Sequence, residues 1–269
     1  MIGSSRESLS VCREGLDARR GTAGFTGLSG ELFAAAGVLD SETQLRSVLA
    51  ASGQPHSVRE ALVRQVFGGR VSELAIDILV LVTGRRWASD LDLLLAIEQL
   101  ADQAAFAVAD AAGTLDATEE ELFLFGRAVD SSPALQMALT DPAQSATTKA
   151  AIVGDLLGGR SSMATQEVLQ YAVGHLHGRR IDAVIDELCQ LAAQQRERVV
   201  AEVRVAAALD AEQERRLAAA LSTIKGRTVR LNVAVDPSVL GGVHVRIGDE
   251  VIDGTVASRM DQASRAVLG

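Results

Sequence analysis

The chain has 269 residues, 48% hydrophobic and 23% charged, with a formal net charge of −9. That length can bury the core of two or three domains, and an acidic balance with no long basic run excludes general nucleic-acid binding. Aromatic residues make up only 3%, so Ala and Leu must do most of the packing, which favours helices over a β-sandwich.

The opening segment MIGSSRESLSVCREG lacks the apolar core of a signal peptide. The two cysteines, Cys12 and Cys189, show no CxxC or Cys/His spacing and read as reduced thiols. From Leu39 a long repeat begins. LDSETQLRSVLAASGQPHSVREALVRQVFGGR, ending at Arg70, aligns without a gap on VDSSPALQMALTDPAQSATTKAAIVGDLLGGR, ending at Arg160, an offset of 90 residues. Leu45 and Leu49 fall on Leu135 and Leu139, and Leu62, Val63, Val66 and Phe67 on Ile152, Val153, Leu156 and Leu157. Identical apolar spacing means identical buried helix faces, and a period this long predicts a duplicated helical domain. After a small gap, GRRW at 84–87 matches GRRI at 178–181.

The apolar run 76–82 is too short to span a bilayer. Arg85-Arg86, like Arg179-Arg180 in the second copy, follows a helix, where cations cap carbonyls or could meet an acidic partner. Residues 91–112 predict one long Ala- and Leu-rich helix. Glu119-Glu120-Glu121 suits a helix start and would also serve as an acidic docking face. Ser131-Ser132-Pro133 predicts an N-cap with proline near the first helical position, and Asp141-Pro142 a stop. Ser145 or Thr147 can cap the next helix, which Gly158-Gly159 closes. Val168, Leu169, Ala172, Val173 and Leu176 mark another, and 181–198 a longer amphipathic one. Each copy is expected to form a bundle of five or six helices.

After residue 198 the pattern changes. Residues 199–209 alternate through Val199, Ala201, Val203 and Val205, and 229–235 through Val229, Leu231, Val233 and Val235, both strand patterns. A helix begins after Asp210. Two short strands flank Gly248-Asp249, a pair suited to a tight hairpin, and a last helix is expected at 256–268. The fold class is therefore mainly α: tandem duplicated helical bundles followed by a small α+β domain. The expected divisions are 1–90, 91–198 and 199–269.

The stretch DPSVLGGVHVRIGDEVIDG at 236–254 is the strongest candidate for chemistry. A phosphate loop needs glycines leading into a helix with a Lys-Ser/Thr pair. Here a strand follows Gly241-Gly242 and no lysine appears, so the glycines serve the sheet. His175 and His177 lie two positions apart without a third ligand at metal spacing and read as a surface pair at a helix end; His56 and His244 read as exposed. No catalytic signature occurs, so no catalytic residue, metal or cofactor is expected.

The stretch from Asp236-Pro237 through Val239-Leu240, Gly241-Gly242, the alternating Val243, Val245 and Ile247, to Asp253-Gly254-Thr255 resembles the C-terminal signature of the delta subunit of F-type ATP synthase, the oligomycin-sensitivity-conferring protein family. Residues 105–157 resemble the start of that family's helical domain. The resemblance covers 91–269, and the extra first copy resembles the extended actinobacterial form. It implies a non-catalytic stator subunit at the cytoplasmic face of the membrane, with no membrane insertion. It also implies partners: N-terminal helices of alpha subunits on the helical domain and b subunits of the peripheral stalk on the C-terminal domain. By this resemblance Leu122, Phe123, Leu135, Leu139, Ile152 and Leu156 are groove candidates, each also suited to a core position, and Val256, Met260 and Val267 are stalk-contact candidates. The alternative is a helical adaptor or regulatory protein on the same fold.

Overall fold

The computed structural model describes residues 3–196, 199–225, 229–236, 243–247 and 250–253. The chain divides into two compact units, Met1–Gln195 and Arg196–Gly269.

The first unit is all helix. Its elements are α1 (Ser4–Asp17), a 3-10 turn (Phe25–Gly27), α2 (Leu28–Ser41), α3 (Thr43–Ala50), α4 (His56–Phe67) and α5 (Glu73–Thr83). Then come α6 (Asp90–Ala111), α7 (Leu115–Ser131), α8 (Pro133–Thr140), α9 (Ala146–Leu157), α10 (Met163–Gly174) and α11 (Ile181–Arg196). The duplication is visible in the bounds: α3 and α4 lie at the 90-residue offset from α8 and α9, start and end alike. The expected caps are present. Ser132 precedes Pro133 and accepts from the Leu135 amide at 3.3 Å, Ser145 accepts from Thr148 at 3.1 Å, and Gly158 ends α9 in the left-handed region at φ 57°.

A paired tether also repeats. Glu31 of α2 accepts the Ser72 amide at 3.1 Å, and Glu121 of α7 accepts the Ser162 amide at 2.9 Å. In each copy the serine is the N-cap of the next-but-two helix, accepting from Ala75 at 3.2 Å or Thr165 at 3.1 Å. One carboxylate thus fixes where α5 and α10 begin against α2 and α7.

Helix α6 organises the unit. It is buried along most of its length, with Leu93, Leu94, Ile97, Leu100, Ala104 and Phe106 fully buried and the polar Glu98 and Gln103 enclosed as well, the burial of a helix packed on several sides. The alignment of 84–87 with 178–181 places α6 where α11 stands in the second copy, while the 90-residue offset places it opposite α1 in the first. It is the closing helix of the first bundle and the opening helix of the second. One continuous core accordingly runs from Leu9 to Ala192 through both copies.

The second unit holds β1 (Val199–Val205), α12 (Ala211–Lys225), β2 (Val229–Val235), β3 (Val243–Ile247) and β4 (Glu250–Asp253), with sheet order β2-β1-β3-β4. β1 and β2 are parallel across α12, with Val203 opposite Val233, and β3 runs antiparallel to β1 and β4. Val203, Val205, Val229 and Val245 are buried with Leu221 of α12. The fold class is mainly α with a small α+β unit, as the periodicities indicate. The Gly248-Asp249 turn and the helix expected at 256–268 lie outside the described residues.

Candidate docking faces

The six groove candidates separate by their register on the helices. Leu122 and Leu139 are fully buried, and Leu135 and Ile152 are half-buried against the core. Phe123 and Leu156 project to solvent, 57% and 53% exposed. Of the C-terminal residues singled out, Asp236 follows β2, its amide donating to the Val205 carbonyl at 2.8 Å, and Asp253 ends β4. Pro237, Gly241, Gly242, Gly254, Val256, Met260 and Val267 lie outside the described residues.

Leu124, Met137 and Met163 are further large apolar side chains at the surface of the second copy. Leu124 and Ala128 of α7 and Leu156 and Leu157 of α9 line a cleft of about 280 Å³, bounded by Glu121 and Arg160. Exposed apolar side chains gathered at one cleft are what a docking surface needs and a solvated face does not.

The polar residues form a clasp between the copies rather than a reaction centre. Glu98 of α6, 6% exposed, accepts from the Tyr171 hydroxyl at 2.9 Å and pairs with His177 Nε2 at 2.7 Å. The other nitrogen of His177 stands 3.6 Å from Asp40 of α2. Tyr171 stacks between Phe33, with ring centroids 4.2 Å apart, and His175, at 4.0 Å. The histidines are therefore not the surface pair expected. α10 ends at Gly174, and His177 takes a left-handed φ of 50° that carries its ring to Glu98. Arg179 donates to the Leu176 carbonyl at 3.2 Å, a capping contact, and to Glu187 at 3.0 Å. Burial, and then Glu98, raises the Tyr171 pKa. Burial, reinforced by Glu98 and Glu187, holds the Asp102 carboxyl well above the usual carboxylate range. Among the described residues no His/Cys/Asp/Glu group could hold a metal, and no helix is long and apolar enough to cross a membrane.

The fold and these faces define a class: a helical body with exposed apolar side chains, followed in the chain by a small α+β unit. Comparison with known proteins gives the family. A family model described as "ATP synthase delta (OSCP) subunit" matches residues 102–267. "ATP synthase subunit delta" of Streptomyces avermitilis is 41% identical over 98% of this chain and 97% of its own. The proteins of the same name from Parafrankia sp. and Nocardia farcinica are each 40% identical, over 99% and 98% of this chain and 99% of theirs. A chain of the Toxoplasma gondii mitochondrial ATP synthase hexamer is 19% identical with a TM-score of 0.27, over 62% of this chain and 95% of that one; at that score it adds nothing to the assignment. The chain belongs to the ATP synthase delta (OSCP) subunit family. It is an accessory stator subunit of the synthase, not itself catalytic.

Proposed function

We propose that the helical unit caps the catalytic head by receiving N-terminal helices of the alpha subunits, and that the α+β unit engages the b subunits of the peripheral stalk at the cytoplasmic face of the membrane. In this reading residues 91–198 are the family-type helical domain, 199–269 the stalk-joining domain and 1–90 an added helical copy. The observation that carries it is Phe123, a large aromatic side chain held in solvent on a unit whose other apolar residues mostly share one core. An amphipathic helix laid against such a face buries the ring, and joining two modest contacts in one chain raises the avidity of the whole link.

Titration calorimetry with synthetic alpha-subunit N-terminal segments tests the first half. The full chain should bind, and Phe123→Ala should weaken binding about tenfold, the usual effect of truncating an aromatic anchor. Absence of binding to any alpha segment would sink the reading. Capture of b subunits from detergent extracts by the full chain tests the second half.

A further inference from the structure

A cavity of about 440 Å³ lies inside the helical unit where the two copies meet. One wall is α1, from the first copy; the others are the shared α6 and, from the second copy, α10, the turn after it and α11. That volume is in the range of small-molecule sites, roughly 300–1,000 Å³. On the α1 wall Arg6, Leu9 and Arg13 recur at i, i+3 and i+7, one face of the helix. The two guanidinium groups therefore stand on the same side, their backbone positions about 10 Å apart along the axis. Leu95, Val184 and Leu188 add apolar surface from α6 and α11.

The charges on the lining are not equally engaged. Glu98 already accepts from the Tyr171 hydroxyl and pairs with His177. Glu187 accepts from Arg179 at 3.0 Å and from the Gln99 amide at 3.4 Å. Asp102 has no hydrogen-bond partner among the described residues, and burial with the nearby Glu98 and Glu187 raises its pKa, so its carboxyl tends to hold a proton it can donate. Arg6, exposed at the mouth, has neither a hydrogen-bond nor an ion-pair partner for its side chain among the described residues. The groups left to meet a ligand are thus a cation and a donor, with Arg13 adding its positive charge on the same helix face.

An aromatic surface lies beside them. Phe33, Tyr171 and His175 form a stack, and His175, its ring 4.0 Å from that of Tyr171, lines the cavity. The His175 Nδ1 sits 2.8 Å from the Tyr171 carbonyl. A carbonyl only accepts, so Nδ1 carries the proton and Nε2 is the nitrogen left for another partner. A flat ring entering the cavity can lie next to the imidazole as a further member of the stack.

We propose that this cavity binds a ring-bearing organic anion, a phosphate monoester or carboxylate whose acidic group meets Arg6 and Arg13 and whose ring lies against His175, Leu9 and Leu188. Arginine suits that role because its planar fork matches the oxygens of either acid. Since α1 comes from the added copy and α10 and α11 from the other, the bound molecule touches both and holds them together. The site is separate from the exposed apolar faces, so it stands or falls independently of what docks on them.

The test is titration calorimetry on the full chain with three probes that share one ring and differ in charge: naphthyl phosphate, naphthylmethanol and naphthylmethylamine. The phosphate ester should bind, the alcohol at least tenfold more weakly, and the amine without measurable heat. Arg6→Gln, which breaks no contact of the folded chain, should weaken the ester at least fivefold. Ala172→Leu, which adds bulk to the lining, should weaken it at least tenfold. Arg127→Gln, an exposed position on α7 that is not part of the lining, should change it less than twofold. Circular dichroism checks that each variant is folded. Hydrogen exchange at saturating ester should slow in α1 and α11 together, because a ligand stabilises the elements it bridges. Failure of the ester to bind, equal or tighter binding of the amine, an equal loss on Arg6→Gln and Arg127→Gln, or protection confined to one copy would each overturn the proposal.

Discussion

If α6 serves both bundles, a cavity placed in it should destabilise both. Phe106 is fully buried in that helix, and Phe106→Ala removes a ring from a core with no room to collapse freely. Such truncations cost about 3–5 kcal/mol, a large part of the roughly 5–15 kcal/mol that holds an ordinary protein folded. For the 195 residues of the helical unit, an unfolding entropy of roughly 2.1 cal/mol/K per residue totals about 0.4 kcal/mol/K, so the midpoint should fall by about 7–12 °C. Hydrogen exchange on the full chain locates the loss. The slowest amides of α2, in the first copy, and of α10, in the second, should lose the same opening free energy, because a shared core opens as one cooperative body. Retention of full protection in α2 while α10 opens would refute the shared-helix account and show two bundles that melt separately.

Three other perturbations have defined outcomes. Asp102 holds its proton more tightly in the folded chain than the usual carboxylate does, so its contribution to stability is complete below the unfolded pKa of about 4 and is lost as pH rises toward the folded value. Asp102→Asn should therefore leave the melting temperature near that of the wild type at pH 4 and raise it by about 2–5 °C at pH 8, for about 1–2 kcal/mol; a pH-independent difference in thermal melts would refute this. Glu31→Ala and Glu121→Ala each release a helix-capping serine and should each cost about 1.5–3 kcal/mol in urea unfolding, adding in the double variant because they share no partner. Burial pushes the Cys12 thiol up to about 12, so in a timed alkylation read by mass spectrometry the half-buried Cys189 should be modified first, with Cys12 resisting until the unit opens.

The local parts of this structure were legible because they depend on neighbours in sequence. Ser132-Pro133, Ser145 and Gly158 act where a cap or stop has to act, and the alternation through Val203 and Val229 leads directly to the sheet. The repeat was equally plain, since it rests on spacing alone. What spacing does not carry is the double use of α6: an alignment at 90 and another at 94 are both true, and only packing shows that one helix satisfies both. The exposed apolar face fails to separate from the core for a similar reason. Leu122 and Phe123 are adjacent and both large, and a turn of about 100° between them decides which is buried. The clasp was hidden by distance, as His177 and Glu98 lie 79 residues apart and nothing near either announces the other.

The double membership of α6 also bears on how force crosses this subunit. Bundles joined by a loop can rock about it, since a loop yields by rotating a few backbone bonds. Here the junction is a helix of 22 residues, a rod of about 33 Å, gripped along its length by side chains from both halves. To bend one bundle away from the other, a torque has to break backbone hydrogen bonds in the middle of a buried helix. Within the helical unit the two copies are therefore joined through a shared rod and a shared core rather than through a loop.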